Sequence, residues 1–319
     1  MYLNINLHIT IGEKVSFEVA KSIEINRSLQ KLSNTAVVVL PREFKEVKGK
    51  RLLDYIHIGD AIKIELGYNG ELYTEFEGYI TNIGAEIPTI LECEDEMYKL
   101  KRTQKFNHTF ANASLKDILQ FIAPNYSLDC VDMSFGKFMI QNATAFEVLQ
   151  ELKKYGIRCD FKGNVLHAGT LVDFKAKEVH KFVFSKNIRK SSDLKYISKE
   201  KRECKIKAIS LQKGTSKKVV YEFGTPINGE RTLHMPLNLT QLELKTQAEK
   251  YYNSVVFDGY EGSVDGWGVP RTDAGDTLEL VDPNYPDKHR DGKFLIESVT
   301  IKANATDGFK RENKIGMKL

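Results

Sequence analysis

The stretch 58–83 constrains the fold more than any other part of the chain, because its pattern predicts a β-hairpin. Ile62, Ile64 and Leu66 alternate with more polar residues, which is the period-two pattern of a half-buried strand. Asn69–Gly70 then predicts a tight turn, because both central residues of a type I′ turn need a positive φ. The rest of the stretch supplies the return strand.

A second copy of this pattern lies near the C-terminus. Gly59–Asp60 opens the first hairpin, and Gly275–Asp276 opens a matching one. The spacing from this turn to the return strand, which contains Ile80 in the first hairpin and Ile296 in the second, is the same in both. Equal spacing predicts two related β-domains in one chain. The alternative is that a Gly-Asp turn before an alternating strand has recurred by chance, since short repeats are easily matched.

The patterns along the chain predict an α+β, mostly β protein in three parts. Residues 1–97 are rich in alternating strands, residues 98–172 combine two capped helices with a small hairpin, and residues 173–319 return to strands. Thr144–Glu147 is a capping box, which marks the start of a helix in the middle part. A similar box predicts an inserted helix at about 240–254 in the third part.

Charge is distributed unevenly along the 319 residues. The net charge is only +4, which does not indicate a nucleic-acid-binding protein as a whole. The segment Lys175–Lys218, here named the basic tract, holds fifteen Lys and Arg against four Asp and Glu, and the remainder of the chain is net acidic. The tract is either a solvated strand face with an exposed loop or a surface for weak, non-specific contact with nucleic acid.

Cysteine usage and the N-terminus predict a protein that is made in the cytoplasm. The four cysteines are far apart and form no Cys-x-x-Cys pair, so we expect free and mostly buried thiols. The first residues lack the basic region and apolar core of a signal peptide. No apolar run is long enough to predict a transmembrane helix, so we expect no membrane insertion.

Motifs of known enzyme classes are absent from the sequence. It contains no Gly-x-Ser-x-Gly, His-Glu-x-x-His, P-loop or Gly-x-Gly-x-x-Gly motif, and its seven histidines are scattered. The carboxylates at positions 92 and 94–96 could suggest a glycoside hydrolase, which needs two carboxyl groups across a sugar cleft. The simpler interpretation is a solvated turn after a strand. We therefore predict no catalytic residues.

An acidic loop over residues 282–291 raises the question of a bound cation. Asp282, Asn284, Asp287 and Asp291 offer oxygen ligands, but their spacing does not match an EF-hand. The two prolines within the loop favour a stiff turn instead. We predict no metal and no cofactor, and the sequence leaves open whether this loop binds a cation.

In order and spacing, several segments together resemble the phage tail baseplate hub family. This family includes the late control protein D group, the Mu-type tail hub and the hub part of type VI secretion spikes. The segments are Phe76–Ile83 before Leu91–Lys101, Thr144–Gly169, Tyr260–Pro270 before Gly275–Leu280, and Gly292–Ile301 with Gly308–Arg311. Each is degenerate, so the resemblance depends on their order across nearly the whole chain.

The resemblance implies two related β-barrel domains of the tube type with a small α/β insert between them. It implies a homotrimer, in which two barrels per copy form a pseudo-sixfold ring that joins the tail tube to the central spike. The implied partners are the spike, the tube, other baseplate proteins and, non-specifically, DNA that passes through the ring. The implied location is the virion tail baseplate. The resemblance implies no catalytic residue and no cofactor.

Residues at the two hairpins and in the Gly-rich loop before the second one are our candidates for the ring interface. They are Gly59, Asp60, Trp267, Gly275 and Asp276. Three other functions stay open from the sequence. One is a cell-surface or carbohydrate-binding β-module, which predicts exposed aromatic residues and a monomer. Another is a cell-wall hydrolase, and a third is a different tail component such as a tube protein.

Overall fold

The structure, a computed structural model, describes residues 4–12, 15–41, 52–170, 178–191, 193–212 and 217–319. Strands make up 51% of the described residues and helices 15%, so the predicted mostly β class is confirmed. Within the described ranges, no helix is both long and apolar enough to cross a membrane. The charged segment 42–50, which the sequence predicts to be a loop, lies outside these ranges.

The secondary structure elements are numbered along the chain. The strands are β1 (Ile5–Ile11), β2 (Val15–Phe17), β3 (Ser22–Ser28), β4 (Thr35–Val39), β5 (Ala61–Tyr68), β6 (Glu71–Ile83), β7 (Ile90–Glu94), β8 (Phe106–Ser114), β9 (Ser127–Cys130), β10 (Ser134–Ala143), β11 (Ile157–Lys162), β12 (Val165–Thr170), β13 (Val179–Val183), β14 (Lys195–Ile197), β15 (Lys205–Leu211), β16 (Lys218–Phe223), β17 (Glu230–His234), β18 (Gly259–Glu261), β19 (Ser263–Trp267), β20 (Thr277–Val281), β21 (Gly292–Asn304) and β22 (Gly308–Lys318). The helices are α1 (Met97–Leu100), α2 (Leu115–Ile122), α3 (Ala145–Lys154) and α4 (Gln241–Val255), with short 3₁₀ helices over Leu52–Tyr55 and Lys199–Arg202.

One open sheet of twelve strands contains strands from both ends of the chain. Its order is β13-β20-β21-β3-β4-β7-β6-β5-β1-β2, and β22 pairs with both β21 and β19. Strand β3 joins the two ends, because Ser22–Ser28 pairs in antiparallel register with Ser298–Asn304 of β21. Buried apolar side chains from both ends share one core beneath this sheet. In the described residues of a single chain, none of the sheets closes into a barrel.

The two ends of the chain have the same strand order. It is β4-β7-β6-β5-β1 in the N-terminal part and β19-β22-β21-β20-β13 in the C-terminal part. Every neighbouring pair in these two sets is antiparallel except β13 with β20, which is parallel. A duplicated unit predicts this shared order.

The middle of the chain forms a separate apolar core from helices α2 and α3 and two small sheets. Ser114 caps α2 and Thr144 caps α3, and each accepts a hydrogen bond from the backbone N–H three residues later. The sequence predicts two capped helices in this part of the chain, and both helix starts are confirmed. The helix predicted at about 240–254 is also present, as α4, with Leu244 and Ala248 buried.

A third apolar core lies outside the large sheet. Helix α4 packs on the small sheet of β15, β16 and β17, where it covers Ile206 and Ala208. The sequence pattern predicts these strands as part of the second β-domain, because alternation alone does not tell which sheet a strand joins. The predicted domain boundaries at 97 and 172 stay predictions.

A buried ion pair connects the two ends of the chain. The register of β5 and β6 shifts by one residue at Glu75, so this residue bulges and faces inward next to the buried Phe76. The Glu75 carboxylate accepts a hydrogen bond from Arg311 Nη2 at 2.5 Å, and each side chain is 1% exposed. Arg311 also donates to the backbone oxygens of Gly268 and Thr272, at 2.8 and 3.2 Å.

Two further arginines contact the same carboxylate. Arg271 Nε lies 3.1 Å from Glu75 Oε1, and Arg27 Nη2 lies 3.6 Å from Glu75 Oε2. Burial lowers the pKa of the Arg311 guanidinium, and the negative charge of Glu75 opposes that shift. We name these four residues, Glu75, Arg27, Arg271 and Arg311, the Glu75 cluster. Its members come from β3, β6, β22 and the loop before β20.

We expect Arg311→Met to lower the free energy of unfolding by about 3 kcal/mol or more. The substitution leaves the Glu75 carboxylate buried without its closest partner, which is more costly than the loss of an exposed ion pair. Urea unfolding measures the change. Arg271→Met is the matched control: its side chain is 41% exposed, so we expect a cost of about 1 kcal/mol or less. Equal costs for the two variants would contradict the role of burial.

Candidate subunit interface

The first Gly-Asp turn is closed by hydrogen bonds to the return strand. Gly59 has a φ of +94°, which a side chain would strain. Its N–H donates to the Ile80 oxygen at 2.8 Å, and the Ile80 N–H donates to the Asp60 oxygen at 3.0 Å. The Asp60 carboxylate accepts from the backbone N–H of His57 at 2.8 Å. The turn therefore fixes the point where the two strands of the hairpin meet.

The second Gly-Asp turn repeats the same bonds. Gly275 has a φ of +99°. Its N–H donates to the Ile296 oxygen at 2.8 Å, and the Ile296 N–H donates to the Asp276 oxygen at 2.8 Å. The Asp276 carboxylate accepts from the Asp273 N–H at 2.8 Å and lies 3.0 Å from His180 Nε2. The sequence repeat thus corresponds to two turns with the same hydrogen-bond pattern.

Within one chain, the polar groups of these turns serve the turns themselves. Asp276 is 4% exposed, because β13 covers it. The interface role of Gly59, Asp60, Gly275 and Asp276 stays a prediction, and these residues position the strands on either side of them.

Trp267 lies on the surface beside the tip of the first hairpin. Its side chain is 45% exposed, and the Arg189 guanidinium sits 4.9 Å from its ring centre. The next residue, Gly268, donates its N–H to the Tyr68 hydroxyl at 3.2 Å, and that hydroxyl donates to the Phe309 oxygen at 2.9 Å. The loop that carries Trp267 is therefore held against the first hairpin.

Two more exposed side chains lie in this loop or beside it. Tyr73 is 40% exposed and lies beneath the Arg271 guanidinium at 4.6 Å, and Val269 is 46% exposed. Aromatic residues and arginine are the types enriched at the centres of protein interfaces. Trp267 is among the interface candidates predicted from the sequence and Tyr73 is not, because strand alternation does not tell which face of a strand is exposed.

An open cleft of about 650 Å³ lies between β6, the β11–β12 hairpin and the loop before β20. Asp273 on its wall pairs with Arg27 at 3.2 Å and with Lys162 at 3.8 Å. Burial raises the pKa of Asp273, but these two cations hold it below its ordinary value. The described lining contains no histidine and no cysteine. Its charged groups pair with one another rather than converge on a reacting atom.

The carboxylates after β7 serve structural contacts. Glu94 accepts from Lys101 at 2.7 Å, and Glu96 accepts from the hydroxyls of Tyr79 and Tyr126 at 2.8 and 2.7 Å. These carboxylates bind side chains of neighbouring elements, so the geometry does not resemble two free carboxyl groups across a sugar cleft.

Asp95 is almost fully enclosed between β7 and α1. Its carboxylate accepts from the N–H groups of Asn34 and Met97, at 2.8 and 3.1 Å, and from the Ser33 hydroxyl at 3.1 Å. Burial raises the pKa of Asp95 to about 6, although these three hydrogen bonds favour the charged form.

The acidic loop at residues 282–291 is held by internal hydrogen bonds. Asp282 accepts from the Tyr260 hydroxyl at 2.7 Å and from both Asn284 nitrogens. Asp291 accepts from the Asp282 N–H at 2.9 Å, and Asp287 pairs with an exposed histidine. In the described part of the chain, no group of three or more His, Cys, Asp and Glu residues is placed to hold a metal ion.

The described part of the basic tract runs through β13, β14 and β15. Its strand β15 is partly neutralised, because Lys205 and Lys207 pair with Glu222 at 2.5 and 3.5 Å. Lys195 on β14 is exposed. The tract residues outside the described ranges are 175–177, 192 and 213–216.

All four cysteines are free thiols, as the sequence predicted. Cys93, Cys159 and Cys204 are buried, and burial raises the pKa of the Cys93 thiol to about 12. Cys130 is partly exposed.

We expect the stabilising effect of protonated Asp95 to disappear as the pH rises. The unfolded carboxyl releases its proton near pH 4 and the folded one near pH 6, so the contribution is fully present below pH about 4 and lost through about 6. The change amounts to at most about 3 kcal/mol for two pKa units. Urea unfolding of the native protein and of Asp95→Asn at pH 4 and pH 7 measures it.

The difference in the free energy of unfolding between the two proteins cancels the titration of every other carboxylate. Native stability should fall relative to Asp95→Asn between the two pH values. A difference that is constant with pH would show that the Asp95 carboxyl has the same pKa in the folded and unfolded states.

No protein-family model matches the chain, and no curated protein matches it in sequence. Solved structures do match over the whole length. The 43 kDa tail protein of prophage MuSo2 from Shewanella oneidensis aligns with a TM-score of 0.66 at 16% identity, covering 98% of each chain. A tail protein from Neisseria meningitidis aligns with the same score and identity, over 99% of this chain and 96% of that one.

An Escherichia coli component of the type VI secretion system aligns with a TM-score of 0.57 at 10% identity. The match covers 98% of this chain and 76% of that chain. At these identities the likeness shows the fold. The chain therefore has the fold of prophage tail proteins and of a type VI secretion component, which confirms the family resemblance predicted from the sequence.

Proposed function

We propose that this chain is a structural baseplate hub of a phage tail or of a related contractile injection machine. Three copies form a ring, and two β units per copy give the ring a pseudo-sixfold symmetry that joins a sixfold tail tube to a threefold spike. The fold shared with prophage tail proteins over the whole chain supports this proposal.

The observation that carries the proposal is the internal repeat. Two hairpins open with Gly-Asp turns that make the same backbone hydrogen bonds, and both belong to strand sets of the same order. A protein that adapts threefold to sixfold symmetry needs two similar units in each copy. An isolated enzyme or binding module has no such need.

In this proposal, residues 1–97 and 173–319 supply the two tube-type β-barrel domains, and residues 98–172 form the insert between them. The large sheet is open in a single chain. Open sheets present unpaired backbone groups at their edges, and pairing with another chain satisfies them. The strands of neighbouring copies would therefore complete the barrel wall.

The same proposal gives the chain a structural rather than a catalytic role. Its partners are two further copies of itself, a spike protein, a tube protein and other baseplate proteins. It is made in the bacterial cytoplasm and acts in the virion tail baseplate, where DNA crossing the ring contacts it without sequence specificity.

We expect the purified chain to form a trimer in solution. Light scattering over a range of concentrations should give three times the 36.4 kDa mass of the chain. The trimer should persist on dilution, since a ring interface is large and apolar at its centre. Each copy would have equal contacts to two neighbours.

A monomer at every concentration, both alone and with the spike protein from the same tail, would contradict the proposal. Binding of such a monomer to cell-surface glycans would then favour the carbohydrate-binding module. Degradation of cell wall by the purified chain would favour the hydrolase.

A further inference from the structure

We propose that copies of this chain join by pairing strand β14 of one copy with the end of strand β6 in the next. This contact would repeat, between copies, the pairing of β3 with β21 that occurs within each copy. The inference rests on the proposed ring, and it adds the surfaces and the register through which the ring closes.

The contact inside the chain is the template. Strand β21 first pairs with β20, from Gly292 to Leu295, and then continues beyond it. Strand β3 pairs with the continuing part, with Ser28 opposite Ser298. The Leu29 N–H donates to the Glu297 oxygen at 3.0 Å and closes the end of this pairing. A strand that is longer than its hairpin partner thus has a free edge, and a strand of another unit can pair with it.

Strand β6 of the first unit is the equivalent of β21 in the second unit, and it has the same kind of free edge. Its pairing with β5 ends at Tyr79, opposite Ala61, and the turn bonds use Ile80. Residues 81–83 continue beyond that point. On the β5 side they have no strand partner among the described residues. Asn82 is exposed there.

Strand β14 lies in the segment of the second unit that is equivalent to β3 of the first unit. Strand β3 lies beside β4, beginning at Ser22. In the second unit, Lys190 forms an antiparallel β-bridge with Asp265 of β19. Further along the same segment, β14 pairs in the same antiparallel direction with β18, which directly precedes β19. In the described part of the chain, the other edge of β14 has no strand partner.

The internal repeat also predicts the register. Asn82 takes the position of Ser298 in the repeated hairpin, because Ile80 and Ile296 are equivalent. Ser22 and Lys190 are equivalent, because they pair with β4 and β19, which hold the same place in the two strand orders. Counting six residues from each, Ser28 at the end of β3 corresponds to Tyr196. Asn82 of one copy should therefore lie opposite Tyr196 of the next. The Ile197 N–H would then reach the Thr81 oxygen of the other copy.

Charge favours the same contact. Strand β14 lies in the basic tract, and Lys195, Lys199 and Lys201 near it are exposed. The β6–β7 hairpin presents the exposed Glu86 and Glu92. Opposite charges across an interface speed association and select the correct register. A separation of acidic and basic segments along the chain is expected if these surfaces meet between copies.

Cross-linking between two single-cysteine variants tests the register. We would mix Asn82→Cys and Tyr196→Cys copies, both carrying Cys130→Ser to remove the partly exposed native thiol. Residues opposite each other in an antiparallel pair have Cβ atoms close enough for a disulfide. Oxidation should give a covalent dimer that contains one copy of each variant, and neither variant alone should form it.

Ser28→Cys with Ser298→Cys in one chain is the matched positive control. It places the same residue pair in the template contact, so oxidation should convert both thiols to an internal disulfide without joining two chains. Asn82→Cys mixed with Lys245→Cys, an exposed residue on α4, is the negative control. Circular dichroism of Tyr196→Cys checks that loss of its ring contacts with Tyr260 and Arg290 leaves the fold intact.

Lys195→Glu provides a second test that keeps the Tyr196 ring. It should raise the concentration needed for half-assembly by about tenfold or more, because it places a negative charge beside the acidic hairpin. A trimer that forms no cross-link between positions 82 and 196 and tolerates Lys195→Glu would overturn this contact but leave the ring. A chain that neither assembles nor cross-links would overturn both proposals.

Discussion

The buried contact between Glu75 and Arg311 is the interaction on which the arrangement of the two β units depends. Each side chain is 1% exposed, and a charge removed from water to this extent is stable only with its partner in place. The two residues lie on β6 and β22, which belong to different ends of the chain. This pair and the apolar core that both units share therefore fix how the units sit against each other.

This contact depends on a single extra residue in β6. Without the bulge, strict alternation would direct Glu75 and Phe76 to opposite faces of the sheet. The bulge lets the carboxylate and the aromatic ring both face inward. The bulge has no counterpart in the second hairpin, where β20 pairs with β21 without a register shift. The two units thus share a strand order but differ at the residues that join them, as expected for copies that contact each other unequally.

Local features of the fold could be predicted from the sequence, and long-range ones could not. The hairpin turns at Gly59 and Gly275 and the caps at Ser114 and Thr144 involve groups within a few residues or across one hairpin, so their residue types identify them. The pairing of β3 with β21 joins segments at opposite ends of the chain, and strand periodicity carries no information on partners. Neither the bulge at Glu75 nor the separate core beneath α4 leaves a local pattern.

The candidate interface likewise has a local part that the sequence predicts and a long-range part that it does not. The turns can be predicted from the sequence but the strand edges beside them cannot, because an edge is a place where a neighbouring strand is missing. Once the strand order is known, the repeat itself identifies the edges: where one unit has its neighbour within the chain, the other unit has an open position. A chain built from two similar units with one internal contact has one such contact left to satisfy. In a closed ring, every copy satisfies it with the next.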